Sequence, residues 1–350
     1  MVSGSKALIA MSGGVDSSAA AFLAQQKGFE CIGGTMVLCQ SNEDIADAEA
    51  VAQRLGMPFY TFDARLPFRS QVQEPFVRSY EEGETPNPCI LCNRKLKFGY
   101  LLDRAKELGC THIVTGHYAR VRQDHETGRW LLQKASDSSK DQSYFLSILT
   151  QDQLSHIYFP LGELTKEQTR QLALDQHFVT ARKRDSQDIC FIPDGDYPTF
   201  LEQFTRRTYP TGNFLDLQGN VVGHHQGAVR YTVGQRKGLG IALGQPVYVC
   251  SKNMEDNTVT VGPNEALYHR TLLATDWSWF PIQTLTEPLR CMAKARSRMV
   301  EQPATAYPEE NRSIRVVFDE PQRALTPGQT IALYDGDTVI GGGCIRWVGE

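Results

Sequence analysis

No stretch of the 350 residues approaches the about twenty consecutive apolar side chains that a membrane-spanning helix needs. The N-terminus carries one early lysine, Lys6, followed by only five apolar residues, Ala7 to Met11, too few for a secretory leader. Both absences predict a cytoplasmic protein with no membrane partner. Neither sign of charge dominates, because 36 basic against 40 acidic residues leave a net charge of -4. The basic surplus that marks a nucleic-acid-binding domain as a whole is therefore missing, and any such contact must fall to local clusters. These are Arg182-Lys183-Arg184, Arg206-Arg207, Arg236-Lys237 and the run from Arg290 to Arg298, although such runs more often form solvated faces. Nine cysteines, an odd number in a chain without a leader, argue for thiols that are reduced, catalytic or metal-bound rather than for a disulfide framework. Internal repeats and low-complexity tracts are absent.

What is present is organised around Ser12-Gly13-Gly14-Val15-Asp16-Ser17-Ser18, which follows the apolar run Ala7 to Met11 and precedes an alanine-rich run to Gln26. This reads as strand, tight turn and helix. Two glycines let backbone N-H groups approach a ligand, and the helix N-terminus adds a positive dipole end, so the turn predicts a phosphate site. No Gly-Lys-Ser/Thr places a lysine over terminal phosphates, so the turn is not a Walker loop. The hydroxyls of Ser12, Ser17 and Ser18 stand in for it, and Asp16 is expected to hold magnesium against the phosphates. The sequence resembles the PP-loop of ATP pyrophosphatases, which cleave ATP between the alpha and beta phosphates and adenylate a substrate oxygen. A glycine turn with serine caps is the plainer alternative.

Cys31 to Leu38 reads as a second strand, Ile45 to Leu55 as a helix closed by Gly56, and Pro58 to Phe62 as a third strand. Phe98, Leu101, Leu102, Ala105 and Leu108 recur at helical spacing before Gly109, and Thr111 to Thr115 reads as the next strand. This alternation predicts an α/β domain with a doubly wound parallel sheet, whose ligands sit at the carboxyl ends of the strands. The loop after Ala10, the strand end near Met36, and Gly116-His117 should then converge. Asp124 to Arg129 is expected to be a hairpin turn, and Thr165 to His177 a helix capped by Thr165 with Glu167 in its first turn. Later in the chain Val247/Val249, Val259/Val261, Ile314/Val316/Phe318 and Ile331/Leu333 alternate with other residues, which predicts β modules. Three domains are expected: 1–204 catalytic, 205–270 small and β-rich, and 271–350 a C-terminal β-barrel.

Thr85-Pro86-Asn87-Pro88-Cys89-Ile90-Leu91-Cys92-Asn93 holds two prolines that fix a loop, presenting Cys92 just ahead of the helix with Leu101 and Leu102. A thiol near a helix N-terminus, with Arg94, Lys95 and Lys97 close by, is expected to ionise easily and act as a nucleophile. Cys190 lies far away in sequence and meets Cys92 only if the fold brings it there. The others, Cys31, Cys39, Cys110, Cys250, Cys291 and Cys344, read as small buried hydrophobes.

Six motifs in order, the PP-loop, Asn-Pro-Cys-Ile-Leu-Cys-Asn, Thr-Gly-His-Tyr-Ala (115 to 119), Lys-Asp-Gln-Ser-Tyr-Phe-Leu (140 to 146), Asp-Ser-Gln-Asp-Ile-Cys-Phe-Ile (185 to 192) and Gly-Gln-Arg-Lys-Gly-Leu-Gly (234 to 240), closely resemble the tRNA-specific 2-thiouridylase family. The resemblance runs from about residue 6 to Thr326-Pro327-Gly328-Gln329. It implies a fold of adenine nucleotide α-hydrolase type. It also implies that ATP, held by Ala10, Met11, Ser12, Gly13, Gly14, Val15, Asp16 and Ser17 with Met36 and Gly116 around the adenosine, adenylates the C2 oxygen of the wobble uridine. Sulfur arrives as a persulfide on Cys190 from a donor such as a cysteine desulfurase or a sulfur-relay protein. Cys92 is then the nucleophile that frees the sulfur and ends in a transient disulfide with Cys190. For tRNA the resemblance implies contacts from Asn87, Pro88, Cys89, Lys140, Asp141, Gln142, Arg296 and Ser297, with His117 and Gln329 at recognition or alignment positions.

The chain departs from the family at Cys89, where aspartate is common, and at Ser297, where a tyrosine usually follows the arginine. The first change creates Cys89-x-x-Cys92. With Cys190 it offers three thiolates for a [4Fe-4S] cluster that hands over sulfide, or less readily for zinc. A PP-loop amide synthetase acting on a small molecule and an inactive nucleotide- or tRNA-binding module are the rival readings. The first would leave the paired cysteines without a role. The second would require Asp16, Cys92 and Cys190 to have been lost.

Overall fold

The computed structural model describes residues 4–39, 42–183 and 189–349. Arg184 and the Asp185 to Asp188 part of the fifth motif lie outside the described residues. Strand β1 (Lys6–Ala10), helix α1 (Val15–Gln26), β2 (Glu30–Val37), α2 (Asn42–Arg54), β3 (Phe59–Asp63) and, after a helical interlude, β4 (His112–Val114) follow the expected alternation. With Ile157–Tyr158 the strands make a five-stranded parallel sheet in which β1 lies between β2 and β4. Along β1, Ala7 and Ile9 enter one core with Ala20 and Ala24 of α1, while Leu8 enters another with Leu96, Phe98 and Leu101. A sheet covered on both faces needs such continuously apolar strands.

The interlude corrects one expectation. A helix begins at Pro88–Leu91, continues through Cys92–Tyr100 and ends with Leu101–Glu107, so Cys92 lies inside it rather than in a loop ahead of it. The reason is local: Asn87 accepts a hydrogen bond from the Cys89 N-H at 3.2 Å, and Pro88 occupies the first turn, so Asn-Pro starts the helix before the cysteines. Over Cys92–Tyr100 the winding widens to π, a form frequent at functional sites. A helical stretch through Arg65–Phe68, Arg69–Gln73 and Glu74–Glu81 precedes it. Thr165 caps Lys166–Asp175 with Glu167 in the first turn, as expected, and Gln168 closes the capping box.

A four-stranded sheet of Gly212–Leu215, Val221–His225, Tyr248–Asn253 and Thr258–Gly262 packs around Phe214, Val249 and Val259. Six strands between Tyr268 and Gly349 then close on themselves, since Tyr268–Trp279 pairs with Thr338–Gly349. Closure removes free sheet edges. The early hairpin Arg120–Gln123 and Trp130–Gln133 turns at 124–129 and joins this barrel sheet through Gln133 and Thr338. Phe280, Ala332 and Tyr334 of the barrel share one core with Leu8 and Phe98. No helix among the described residues is long and apolar enough to cross a membrane.

Tyr144 fastens the two units, because its buried hydroxyl donates to the Thr330 carbonyl at 2.8 Å. Tyr144→Phe strands that carbonyl and is expected to destabilise the chain by about 1–3 kcal/mol. A lowered urea midpoint followed by fluorescence checks this; an unchanged midpoint means the contact is dispensable.

Candidate active site

The loop after β1 is folded tightly by contacts that only glycine allows. Gly13 has φ +70°, and a β-carbon on it would stand 2.2 Å from the Asp44 carbonyl oxygen; one on Gly116 would stand 2.7 Å from the Asp16 carbonyl carbon. The loop, α2 and the turn after β4 thus touch backbone to backbone. Ser17 and Ser18 are buried, and their hydroxyls donate to the Gly14 carbonyl at 2.9 and 3.0 Å. Ser18 also pairs with Thr180 at 2.8 Å. Ser12 stays exposed, with its N-H on Ser17 Oγ at 3.3 Å. Val15 and Met11 are buried, Ala10 and Gly14 half-buried, and Met36 is buried at the end of β2.

A lysine from far along the chain reaches the motif. Lys166 Nζ lies 2.6 and 2.8 Å from the two Asp16 carboxylate oxygens, across 150 residues of sequence, and Tyr118 donates its hydroxyl to Oδ1 at 2.9 Å. Lys183 Nζ stands 3.2 Å from the Gly13 carbonyl and pairs with Asp44 at 2.8 Å and Asp47 at 2.6 Å. Sequence reasoning saw Lys183 only as part of a basic run and missed Lys166. The position of Lys166 just after a cap residue carries no local sign of its partner.

The motif at 140–146 is built into the same corner. Gln142 accepts from the Tyr118 N-H at 3.0 Å and donates its own N-H to the Tyr118 carbonyl at 2.9 Å. Asp141 accepts from the N-H groups of Ala135 and Ser143 at 3.0 and 3.2 Å and from the Ser143 hydroxyl at 2.7 Å. The Lys140 N-H bonds the Asp137 carbonyl at 3.1 Å. His117 is buried between Phe98 and Phe159 with its Nδ1 2.6 Å from Thr115 Oγ1, and burial holds its pKa well below the ordinary histidine value.

The barrel grips the loop ahead of the cysteines. Gln329 donates to the Thr85 carbonyl at 2.6 Å, and the Thr85 N-H donates to the Pro327 carbonyl at 2.9 Å. Arg346 pairs with Glu84 at 3.2 Å. Arg296 donates to the Ala324 carbonyl and to Thr326 at 2.7 Å, and burial lowers its pKa; Ser297 beside it is half-buried.

The fold brings Cys92, Cys89 and Cys190 within electrostatic reach of one another. Phe191 holds Cys190 there by packing on Phe68, Phe76 and Phe200 at ring separations of 5.5, 5.3 and 5.0 Å. The expectation of an easily ionised Cys92 is overturned. Burial pushes its thiol up to about 11, and Lys97 offsets this only in part. The helix end helps little once the sulfur is enclosed. A fourth thiol was also misjudged: Cys39, read as a small buried hydrophobe, is exposed and donates to the Cys190 carbonyl at 3.3 Å. Its position just past β2, where ligands of such sheets gather, was the available signal. Among the described residues no group of three or more histidine, cysteine, aspartate or glutamate side chains is arranged to hold a metal ion.

Three family models cover the chain in order: a tRNA methyl transferase HUP domain over residues 5–194, a tRNA methyl transferase PRC-barrel domain over 198–263 and an aminomethyltransferase beta-barrel domain over 269–345. The class is thus a HUP domain carrying two β modules. Among curated proteins, the tRNA-specific 2-thiouridylase MnmA of Clostridioides difficile (strain 630) is 43% identical over 353 residues, covering 97% of this chain and 98% of that protein. Those of Symbiobacterium thermophilum and Moorella thermoacetica are 46% and 45% identical, covering 97% and 98% of this chain and 92% and 100% of their own lengths. The chain belongs to the tRNA-specific 2-thiouridylase family. Among solved structures, a 4-thiouridine synthetase–RNA complex with bound ATP overlaps 58% of this chain and 50% of that chain at 14% identity and a TM-score of 0.37, too remote to bear on the assignment.

The thiols should ionise in a fixed order. The Cys190 thiol donates to Cys39, which lowers the pKa of Cys39 and raises that of Cys190. Iodoacetamide labelling read by peptide mass spectrometry should therefore reach the exposed Cys39 at a lower pH than the other thiols. Labelling of Cys92 should climb with pH towards about 11, because a raised pKa keeps the thiol protonated below it. Saturation of Cys92 near neutral pH would contradict this order.

Proposed function

We propose that this chain is an ATP-dependent tRNA-uridine 2-sulfurtransferase that converts the wobble uridine to 2-thiouridine. The observation that carries the reading is a phosphate-type loop after β1 and, just past the end of the neighbouring β2, Cys39 in contact with Cys190 and in electrostatic reach of Cys92. The loop ends at the N-terminus of α1, whose dipole and unpaired N-H groups favour the triphosphate. Lys166 neutralises the Asp16 carboxylate that would otherwise repel the phosphates beside the loop, and Lys183 ties the loop to Asp44 and Asp47 of α2. With phosphates held there, the uridine C2 oxygen attacks the alpha phosphorus and pyrophosphate leaves. The carbonyl oxygen is thereby turned into a leaving group.

Sulfur carried as a persulfide on Cys190 then attacks C2 and AMP departs. Cys92 attacks the Cys190 sulfur, breaking its bond to the transferred sulfur and leaving C2=S on the base and a Cys92–Cys190 disulfide on the protein. Burial keeps the Cys92 thiol protonated near neutral pH. Its attack therefore requires proton removal as the disulfide forms.

Two expected cofactors fare differently from ATP. Both Asp16 oxygens already accept from Lys166, so the carboxylate expected to hold magnesium has its counter-charge within the protein. For an iron–sulfur cluster, Cys89, Cys92 and Cys190 approach one another without forming a ligating group of three. The residues present do not fit either role, and no step is assigned to magnesium or to a cluster.

Asn87, Pro88 and Cys89 open the helix that bears Cys92, so a base leaving the anticodon stack would meet them first. Arg296, Ser297 and Gln329 lie on the barrel side of the same loop, and Lys140, Asp141 and Gln142 on the Tyr118 side. Phosphate contacts fall to local basic clusters, in keeping with a chain that is not basic overall. A persulfide-donating protein is the implied partner in a cytoplasmic setting.

Protein loaded with persulfide and given ATP and unmodified tRNA should release AMP and form 2-thiouridine detectable by nucleoside mass spectrometry. Cys190→Ser should still release AMP but give no thiolated base. Lys166→Met should weaken ATP binding about tenfold to a hundredfold, the worth of one charged hydrogen bond. AMP release with small carboxylic acids in place of tRNA would overturn the reading in favour of an amide synthetase.

A further inference from the structure

The sulfur-transfer chemistry uses Cys92 and Cys190 and leaves the solvent-facing Cys39 without a task. Yet Cys39 is the thiol in contact with Cys190. Its Sγ donates to the Cys190 backbone carbonyl at 3.3 Å, and the Cys190 thiol donates back to it. Both residues are exposed, whereas Cys92 is half-buried. The position is fixed from both sides, by the end of β2 on one and by the Phe191 aromatic cluster on the other. Cys92 also lies within electrostatic reach of Cys39.

We propose that Cys39 is the resolving thiol of the cycle, taking Cys190 out of its disulfide with Cys92 and presenting a Cys39–Cys190 disulfide to solvent. The proposal rests on the sulfur-transfer reading above. The exchange balances without an added oxidant. Cys39, as thiolate, attacks the Cys190 sulfur; a Cys39–Cys190 bond forms, the Cys92–Cys190 bond breaks, and the electron pair leaves with Cys92. Cys92 takes up the proton that Cys39 gave, and no net electrons move. A small dithiol from solution then reduces the exposed disulfide with two electrons and two protons, restoring Cys39 and Cys190 as thiols.

Physical access explains why a third thiol helps. A reductant attacks in line with the S–S bond, so it reaches the Cys92–Cys190 bond only at Cys190, whereas both sulfurs of a Cys39–Cys190 bond are exposed. The lowered pKa of Cys39 raises its thiolate fraction and speeds its attack, whereas the raised pKa of Cys92 makes that thiol the slower leaving group, so reduction of the exposed Cys39–Cys190 bond is what draws the exchange forward. Disulfide exchange moves the oxidising equivalent from a closed place to an open one.

The test has two arms. In the first, persulfide-loaded protein completes one turnover with ATP and tRNA, is quenched with an alkylating agent, and its disulfides are mapped by mass spectrometry. Wild-type protein should yield a Cys39–Cys190 disulfide beside Cys92–Cys190. Cys39→Ser and Cys39→Ala should stop at Cys92–Cys190, form 2-thiouridine in the first turnover, and turn over about tenfold more slowly with dithiol reductant. In the second arm, mild oxidation with no tRNA or ATP should form Cys39–Cys190 in wild-type protein and in Cys92→Ser. A wild-type disulfide that remains Cys92–Cys190, with Cys39→Ser turning over at the wild-type rate, overturns the resolving role while leaving sulfur transfer intact. Absence of 2-thiouridine from wild-type protein overturns both.

Discussion

The Asp16 carboxylate, gripped by the Lys166 ammonium on both oxygens and by the Tyr118 hydroxyl on one, is the constraint that holds the loop after β1 in place. Asp16 belongs to the loop after β1, Lys166 opens a helix much later in the chain, and Tyr118 follows β4. Three separate elements are thereby held at one point. Tyr118 is in turn clamped by Gln142, and two residues on Tyr144 reaches into the barrel at Thr330. A single chain of polar contacts thus runs from the phosphate loop to the C-terminal domain, and the buried core shared by Leu8, Phe98 and Tyr334 backs it with apolar packing.

The thiol half is held by a different device. The barrel loop at 326–329 closes on Glu84 and Thr85, and this fixes where the Asn87 cap starts the helix and hence where Cys92 points. A β-carbon on Gly328 would stand 2.8 Å from Glu84 Cβ, so the approach is tight. Cys190 comes from the opposite side, carried by Phe191. The loop after β1 and the cysteines are positioned by independent contacts, so under the proposed reaction activation and sulfur delivery can be impaired separately.

Much of this was legible in the residues. The glycine turn between an apolar strand and an alanine-rich helix predicts its own structure, and apolar runs broken by helical spacing predict the parallel sheet. The six ordered motifs pointed to the family that the comparisons then established. What could not be read depends on distance in space. Lys166 lies far from Asp16 in sequence, and nothing about a lysine after a threonine cap announces an ion pair with a distant loop. The pKa of Cys92 was misjudged because helix position is visible in a sequence while enclosure is not. Asn87-Pro88, by contrast, is a readable helix start whose weight was underestimated. Cys39 was assigned by its strand-like surroundings, although the residue sits just beyond the strand, where side chains face the site.

The central claim is that a sulfur atom carried on Cys190 is the one that enters uridine at a carbon activated by the loop around Asp16. The most direct measurement loads Cys190 with persulfide bearing a radioactive outer sulfur and adds ATP and tRNA in a single turnover without free sulfide. The account predicts that the label leaves the protein and appears in 2-thiouridine, in an amount matching the AMP released. Label that stays on the protein while thiolated base forms, or thiolated base formed in excess of the label released, would contradict it.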